Sequence, residues 1–530
     1  MLGNVLVVLV SLAVGWTALL PVRRTVGPYA YHVAAMPIGL IGWAWVSAWT
    51  GVLRVPYGWP VVGGGLATYA VLVAGILAWR ARPGEVDFDG KWPRFPEWTY
   101  LVALGFVAGT ALLSVWSRAS AFSADSWADY ELIGMRLHDT GSLTYWMVAI
   151  RNALLPSVHA GARMMGADWT YVVYPVLAAH VAVLVLGEVY VRAVVRIGRG
   201  WGGALALLVT GLMVTTAPFL FHTLYVHSHM VSALYLTLAV VGIGRAYVPP
   251  GVGFRVRGTD VPAWRNSWLA VTGLAVAGLV LARPDGLAYA VVPLALFAAR
   301  WFAAGMRRAE VTTLFPAALT VPATVFGITL ARYGLWVQQD KLHGAHAVVL
   351  LACYIALAVL LAASVRWKLG AAWLAQDDHA TRVTLVLAAF GFGLASRSVP
   401  VDFGMAMANI AQNLFHTGGY NSLWSFALGL AVLAGVFPQL RREPVVRQLL
   451  VAIALFFITA ATVHGLTHVG RANWGDSFSR VSFHVVPLVF LLLGHSASTL
   501  LAGSRIARRR HSTIEIASTG HKSTQSRTGP

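Results

Sequence analysis

Long apolar runs, separated by short stretches rich in arginine, glycine and proline, recur along the whole chain. An α-helix needs about 20 predominantly apolar residues to cross the hydrocarbon core of a bilayer, because each residue rises only about 1.5 Å. Runs that meet this rule cover 2–21, 29–50, 61–79, 99–117, 171–191, 201–219, 229–244, 267–282, 287–303, 313–331, 346–365, 382–396, 421–439, 449–467 and 483–502. The pattern predicts an all-α polytopic membrane protein with about fifteen transmembrane helices. The longest break, 118–170, alternates apolar and polar residues at helical spacing and predicts an external loop carrying helices that lie along the membrane surface.

Composition agrees with that class, since 58% of the 530 residues are hydrophobic and only 11% are charged. The single cysteine, Cys353, excludes an intrachain disulfide and a cysteine-based metal site. A net charge of +19 raises the question of nucleic acid, but the basic residues sit in short loops between apolar runs, where the positive-inside bias accounts for them. With the tail cluster Arg505, Arg508, Arg509 and Arg510 set on the cytoplasmic side against anionic lipid, alternation of the spans brings every other basic cluster to that side. These clusters are Arg441, Arg442 and Arg447; Arg366 and Lys368; Arg307 and Arg308; Arg245, Arg255 and Arg257; Arg192, Arg196 and Arg199; Arg80 and Arg82; and Arg23 and Arg24. No Lys or Arg precedes Leu2–Pro21, so this run reads as an anchor with its N-terminus outside and not as a cleavable signal. The expected location is the plasma membrane, with a cytoplasmic C-terminus and the candidate chemistry on the external face. No internal repeat and no GxxxxGK[ST] phosphate loop is present, which argues against a nucleotide-driven pump.

The densest acidic stretch is FSADSWADYELIGMRLHDTG, 122–141, with Asp125, Asp129, Glu131 and Asp139. In a helix, Asp125 and Asp129 share one face. Elsewhere FHTLYVHSH gathers His222, His227 and His229 at an external helix end, and HGLTH sets His464 and His468 one turn apart. That second spacing suits two imidazoles on a metal but lacks the glutamate of HExxH. A divalent cation, Mg²⁺ or Mn²⁺, held by Asp125 with other carboxylates is the one open cofactor.

Three segments together resemble the GT-C class of integral-membrane glycosyltransferases: the outward acidic loop with Asp125, Tyr130 and Gly141; ARPDGL at 282–287; and WGDSFSRVSFHVVPLVFLLL at 474–493, an arginine shortly before a proline-containing final span. The resemblance covers 97–503, with 118–170 as its acidic loop. It leaves 1–96 as an N-terminal extension of about three transmembrane helices and 504–530 as a basic, disordered cytoplasmic tail. The acidic loop departs from the family pattern in lacking an adjacent Asp-Asp or Asp-Glu pair. The resemblance implies a GT-C-like fold and transfer of a sugar from a polyprenyl-phosphate donor to a glycan, lipid or protein acceptor of the cell envelope. Asp125, with Asp129, would take the acceptor's proton as general base. Arg480, Arg283 and His484 would bind the donor phosphate, because guanidinium meets phosphate oxygens through a planar fork. Tyr130, His227, Asp285 and Asp476 would contact substrate.

Each of these residues also has a structural reading. Asp125 and Asp129 can cap a surface helix, Arg283 and Asp285 can pair across the Pro284–Gly286 turn, and Asp476 and Arg480 stand at an intrahelical spacing. The competing functional classes are a transporter or flippase of a lipid-linked or polar solute, and a polysaccharide polymerase or ligase. Transport calls for ionisable residues inside spans, of which Glu188 is the main example.

Overall fold

The computed structural model describes residues 2–81, 105, 109, 130–141, 153–247, 261–283, 285–304, 307–333, 379–398, 400–417, 421–467 and 477–523. Among these residues all regular structure is helical. Three helices open the chain: α1 (Leu2–Leu19), α2 (Pro28–Leu53) and α3 (Trp59–Ala81). The short helices α4 (Leu132–Thr140) and α5 (Leu154–Met164) pack on one another. Then follow α6 (Val173–Ile197), α7 (Arg199–Val214), α8 (Ala217–Leu224), α9 (Ser228–Tyr247), α10 (Val261–Ala282) and α11 (Val291–Ala303), the last entered through a turn at Gly286–Tyr289. The chain continues with α12 (Arg308–Tyr333), α13 (His379–Ser398), α14 (Pro400–Gln412), α15 (Asn421–Val436), α16 (Pro444–Thr467) and α17 (Val486–Ser523).

Among the described residues nine helices are long and apolar enough to cross a membrane, and α7 with α8, bent by 67°, would form a tenth span. Of the expected spans 99–117 and 346–365, only residues 105 and 109 fall within the description. Those at 313–331 and 382–396 lie within α12 and α13, and the one at 421–439 is the 16-residue α15. The final helix runs on to Ser523, through part of the tail that its composition marked as disordered.

Helices α9, α2 and α10 form the middle of the bundle, with about nine-tenths of their apolar window buried, against a third for α3. A helix that is hydrophobic all round is buried by protein on all sides, and α9 is such a helix. The opening helices belong to this same core. Tyr235 of α9 donates to Pro37 O at 2.6 Å, beside the proline that interrupts the α2 backbone ladder. Asn4 of α1 donates to Trp169 O and accepts from Tyr171 N.

The helices share two ends. At one end, Tyr29, Glu188, Arg192 and Arg245 converge below the core. Arg245 Nε lies 2.9 and 3.1 Å from the two Glu188 carboxylate oxygens, its Nη2 is 3.1 Å from Tyr29 Oη, and Tyr29 donates to Glu188. Arg196 pairs with Glu443 at 2.6 Å and donates to Ser498 and Thr499, and Arg265 pairs with Glu310. Every basic cluster whose residues are described lies at this end. At the other end lie the starts of α1, α6, α9 and α17, together with α4, α5 and the turn after α10.

Close helix crossings depend on glycine at particular points. A Cβ on Gly15 would stand 1.8 Å from Ala35 O, one on Gly39 1.8 Å from Ser11 O, and one on Gly494 of α17 2.5 Å from a methyl of Val189 on α6. Small residues let backbones approach where lipid supplies no hydrophobic drive for association. Gly15→Val or Gly39→Val should therefore cost about 1–3 kcal/mol or more. Gly63→Val, where the added Cβ would meet nothing within 4 Å, should be close to neutral. Thermal unfolding in detergent, compared across the three variants, checks this.

Candidate functional site

Three sequence segments far apart in the chain meet at the end opposite the basic clusters: Tyr225–His229, Arg283–Tyr289 and Arg480–His484. The first owes its shape to Thr216, which caps α8 by accepting from Phe219 N, with Pro218 in the first turn. Helix α8 then ends in an extended Tyr225, and α9 begins only at Ser228, so His227 lies in the break and His229 in the first turn of α9. The second segment is the tight return between α10 and α11. A Cβ on Gly286 would lie 2.1 Å from Leu279 O, so this return can pack on α10 only with glycine there.

Arg283 and Asp285 form a two-pronged pair, Nε to Oδ1 at 2.7 Å and Nη2 to Oδ2 at 3.1 Å, and Tyr289 donates to Oδ2 at 2.9 Å. Burial by itself raises the Asp285 carboxyl, but the Arg283 guanidinium, His484 and the Tyr289 hydroxyl outweigh it and hold the group well below the usual carboxylate range. For Arg283, burial works against the charge and the Asp285 partner more than restores it, so the guanidinium stays charged. Asp285 is thus a poor base at neutral pH. What it does is aim the arginine.

The other prong of Arg283 faces the histidines. Nη1 lies 3.3 Å from Ser228 Oγ and 3.2 and 3.3 Å from the two ring nitrogens of His229. These contacts set the guanidinium directly against the His229 ring. In its own plane His229 Nδ1 meets His484 Nε2 at 3.1 Å, with one proton shared between them. His484 Nδ1 is buried and has no hydrogen-bond partner among the described residues. His227 stacks on His229 at 4.4 Å between centroids and on Tyr225 at 5.3 Å. Arg480 Nη1 donates to the Tyr225 hydroxyl at 3.0 Å. The result is a column of rings with a guanidinium at each end.

Tyr130 closes one side, donating to Ser228 Oγ at 3.1 Å and setting its ring edge against His227. Its neighbour Glu131 is fully buried and anchors the surface layer: Oε1 lies 3.2 Å from His159 Nδ1 and accepts from Thr170 N. His159 Nε2 in turn is 2.9 Å from the Tyr174 hydroxyl. Burial raises the Glu131 carboxyl, but His159, Thr170 N and Arg163 pull it below its ordinary value.

Of the residues singled out from sequence, Arg283, Asp285, His227, His484, Arg480 and Tyr130 belong to this one cluster. Asp125, Asp129 and Asp476 lie outside the described residues, as does the suggested Mg²⁺ or Mn²⁺ position on Asp125. His464 donates from Nδ1 to Ala460 O of its own helix at 3.0 Å and packs on Phe478. Among the described residues no three His, Cys, Asp or Glu side chains form a group that could hold a metal ion. Sequence reasoning passed over Ser228, Tyr289, Tyr225 and the Glu131–His159–Tyr174 chain. Tyr289 had a readable signal, one turn after Asp285 in RPDGLAY; His159, a lone histidine in a surface helix, had none.

The helices and their apolar length define a multi-pass membrane protein. Compared with family models, curated proteins and solved structures, the chain matches none.

Removing the Asp285 charge takes its carboxylate from the half-buried Arg283 guanidinium, so Asp285→Asn should cost about 1.5–3 kcal/mol at neutral pH. The depressed carboxyls of Asp285 and Glu131 stabilise the fold fully above the unfolded-state carboxylate value, about 4, and lose that effect as pH falls through their lower folded values. Melting curves in detergent should show no contribution to pH dependence from these two groups between pH 5 and 8. In stronger acid the gap between Asp285→Asn and wild type should narrow.

Proposed function

We propose that the chain is a membrane glycosyltransferase that moves a sugar from a polyprenyl-phosphate donor to an acceptor on the outer face of the membrane. The observation that carries this reading is the pair of guanidiniums, Arg283 and Arg480, at the two ends of one ring stack, where buried apolar helices terminate. A polyprenyl-phosphate leaving group needs cations at its oxygens more than it needs a general acid, and a guanidinium held in place beforehand supplies charge stabilisation without reorganising during the reaction. The prenyl chain needs an apolar path up to that point, which the surfaces of the spans offer.

The general base of this proposal is Asp125, assisted by Asp129, which directly precedes Tyr130 in sequence. Packing of Tyr130 against Ser228 and His227 ties the end of that acidic stretch to the cluster. By the positive-inside bias the end with the basic clusters faces the cytoplasm and the ring stack faces outward. The GT-C resemblance points to the same chemistry. The transport alternative draws less support. Glu188, its principal ionisable candidate, is engaged by Arg245 and Tyr29, which stand in the last turn of α9 and the first turn of α2 at the basic end.

Sugar transfer from labelled polyprenyl-phosphate donors, by membranes with matched protein levels, tests the assignment. Arg283→Lys and Arg480→Lys keep a charge but lose the planar fork, and each should lower transfer by about a hundredfold. Asp125→Asn should abolish transfer with donor binding retained. Full activity in both lysine variants, or no transfer by the wild type across an adequate donor panel, would overturn the reading.

A further inference from the structure

Residues 167–172 lead from α5 into α6 and lie outside any helix, so their buried backbone groups need partners from side chains. Two side chains supply them. Asn4, in the first turn of α1, donates from Nδ2 to Trp169 O at 2.6 Å and accepts at Oδ1 from Tyr171 N at 3.0 Å and Val172 N at 3.4 Å. Glu131, at the entry to α4, accepts from Thr170 N between them. A primary amide is suited to the first of these tasks, because it carries a donor and an acceptor side by side, as a peptide group does. Both side chains are buried. The helices that bring them are in close contact with α5: a Cβ on Gly3 of α1 would stand 2.6 Å from Met165 O and 2.7 Å from Ala167 N, and one on Gly134 of α4 2.6 Å from His159 Cβ.

The held stretch is linked to the ring stack through Tyr130. This residue precedes Glu131 directly, its hydroxyl donates to Ser228 Oγ at 3.1 Å, and its ring meets His227 edge-on. Ser228 Oγ in turn receives Arg283 Nη1 at 3.3 Å. A second route ties the same carboxylate to the start of α6, through His159 to the Tyr174 hydroxyl. Where Tyr130 stands against Ser228 and His227 is thus set by what fixes Glu131, and Glu131 shares its backbone anchor with Asn4.

We propose that Asn4 and Glu131 are positioning residues of the ring-stack site, gripping 169–172 from two sides and so fixing Tyr130 on Ser228 and His227. The inference rests on the reading of that cluster as the active site. It makes α1 part of the working machinery, whereas the GT-C resemblance leaves that helix in an N-terminal extension. A side chain that only packed the surface layer would change its stability without changing the geometry of the stack.

Hydrogen–deuterium exchange of the purified full chain in neutral detergent tests this without an assay of activity. Asn4→Ala and Glu131→Ala should each raise exchange about tenfold or more at 130–141 and 166–174, and raise it also at 225–230, where Tyr130 makes its contacts. Asn4→Asp keeps the acceptor for Tyr171 N and Val172 N but cannot donate to Trp169 O. It should give the same pattern at lower amplitude, which keeps the test decisive if an alanine variant does not fold. Ser11→Ala, about two turns along α1, removes the hydroxyl that donates to Val7 O and accepts from Trp43 Nε1. That control should lower the melting temperature and leave exchange at 225–230 unchanged. In membranes that transfer sugar, Asn4→Ala should lower kcat about ten- to a hundredfold with the donor KM within about threefold, since Arg283 and Arg480 keep Asp285 and Tyr225. Unchanged exchange at 225–230 in the Asn4 and Glu131 variants, an equal rise there in Ser11→Ala, or wild-type kcat in Asn4→Ala would each overturn the proposal. Absence of transfer by the wild type counts against the glycosyltransferase reading, and the exchange pattern then decides this proposal by itself.

Discussion

Lipid offers no water to a buried charge, so an ionisable side chain inside a helical bundle must find its partner within the protein. Glu188 and Arg245 meet this demand for each other, and Tyr29 completes the arrangement. The three groups come from α6, α9 and α2, so one electrostatic contact fixes the rotation of three central helices about their own axes. Breaking it would leave a buried charge uncompensated, a far larger penalty than the pair's net contribution to stability. The large apolar side chains around it can repack more cheaply, which makes the charge contact the stricter constraint on register.

The same economy shapes the opposite end with a different result. There Asp285 is matched to Arg283, but Arg480 comes to the stack through a tyrosine hydroxyl, and the remaining members are imidazoles and aromatic rings. The cluster therefore joins two guanidiniums, one carboxylate and several rings. Two guanidiniums fixed at the mouth of an apolar bundle are what recommend a phosphate-bearing lipid as the ligand in the proposed reaction.

Much of the architecture was legible in the chain because the bilayer makes hydropathy a strong signal. Apolar runs marked the helices, and the alternation of basic loops anticipated that Arg192, Arg196, Arg245, Arg307 and Arg447 would share one end. Local motifs from distant parts of the chain also come together: FHTLYVHSH, ARPDGL and Arg480 all lie in the cluster. What one-dimensional pattern could not supply was their register against one another. His229 and His484 touch across 255 positions of sequence, and no spacing rule links them. Glu131 read as one more member of an acidic patch, although it is the carboxylate that folding buries. Glu188 read as an isolated charge in a span because its partner sits on a helix that sequence alone cannot align. The glycines at 15, 39 and 494 were equally silent, since their role depends on which backbone crosses above them.

Helix α17 supplies His484 just before its start, packs Gly494 against Val189, and offers Ser498 and Thr499 to Arg196 on α6. During synthesis α6 leaves the ribosome some three hundred residues ahead of this partner. Until α17 is made, one flank of α6 has only lipid or a chaperone to cover it, and the hydroxyls that receive Arg196 do not yet exist. Closure of the bundle is therefore a late event set by the synthesis of α17, and a chain truncated before Phe483 would keep most of its helices while lacking the piece that seals them.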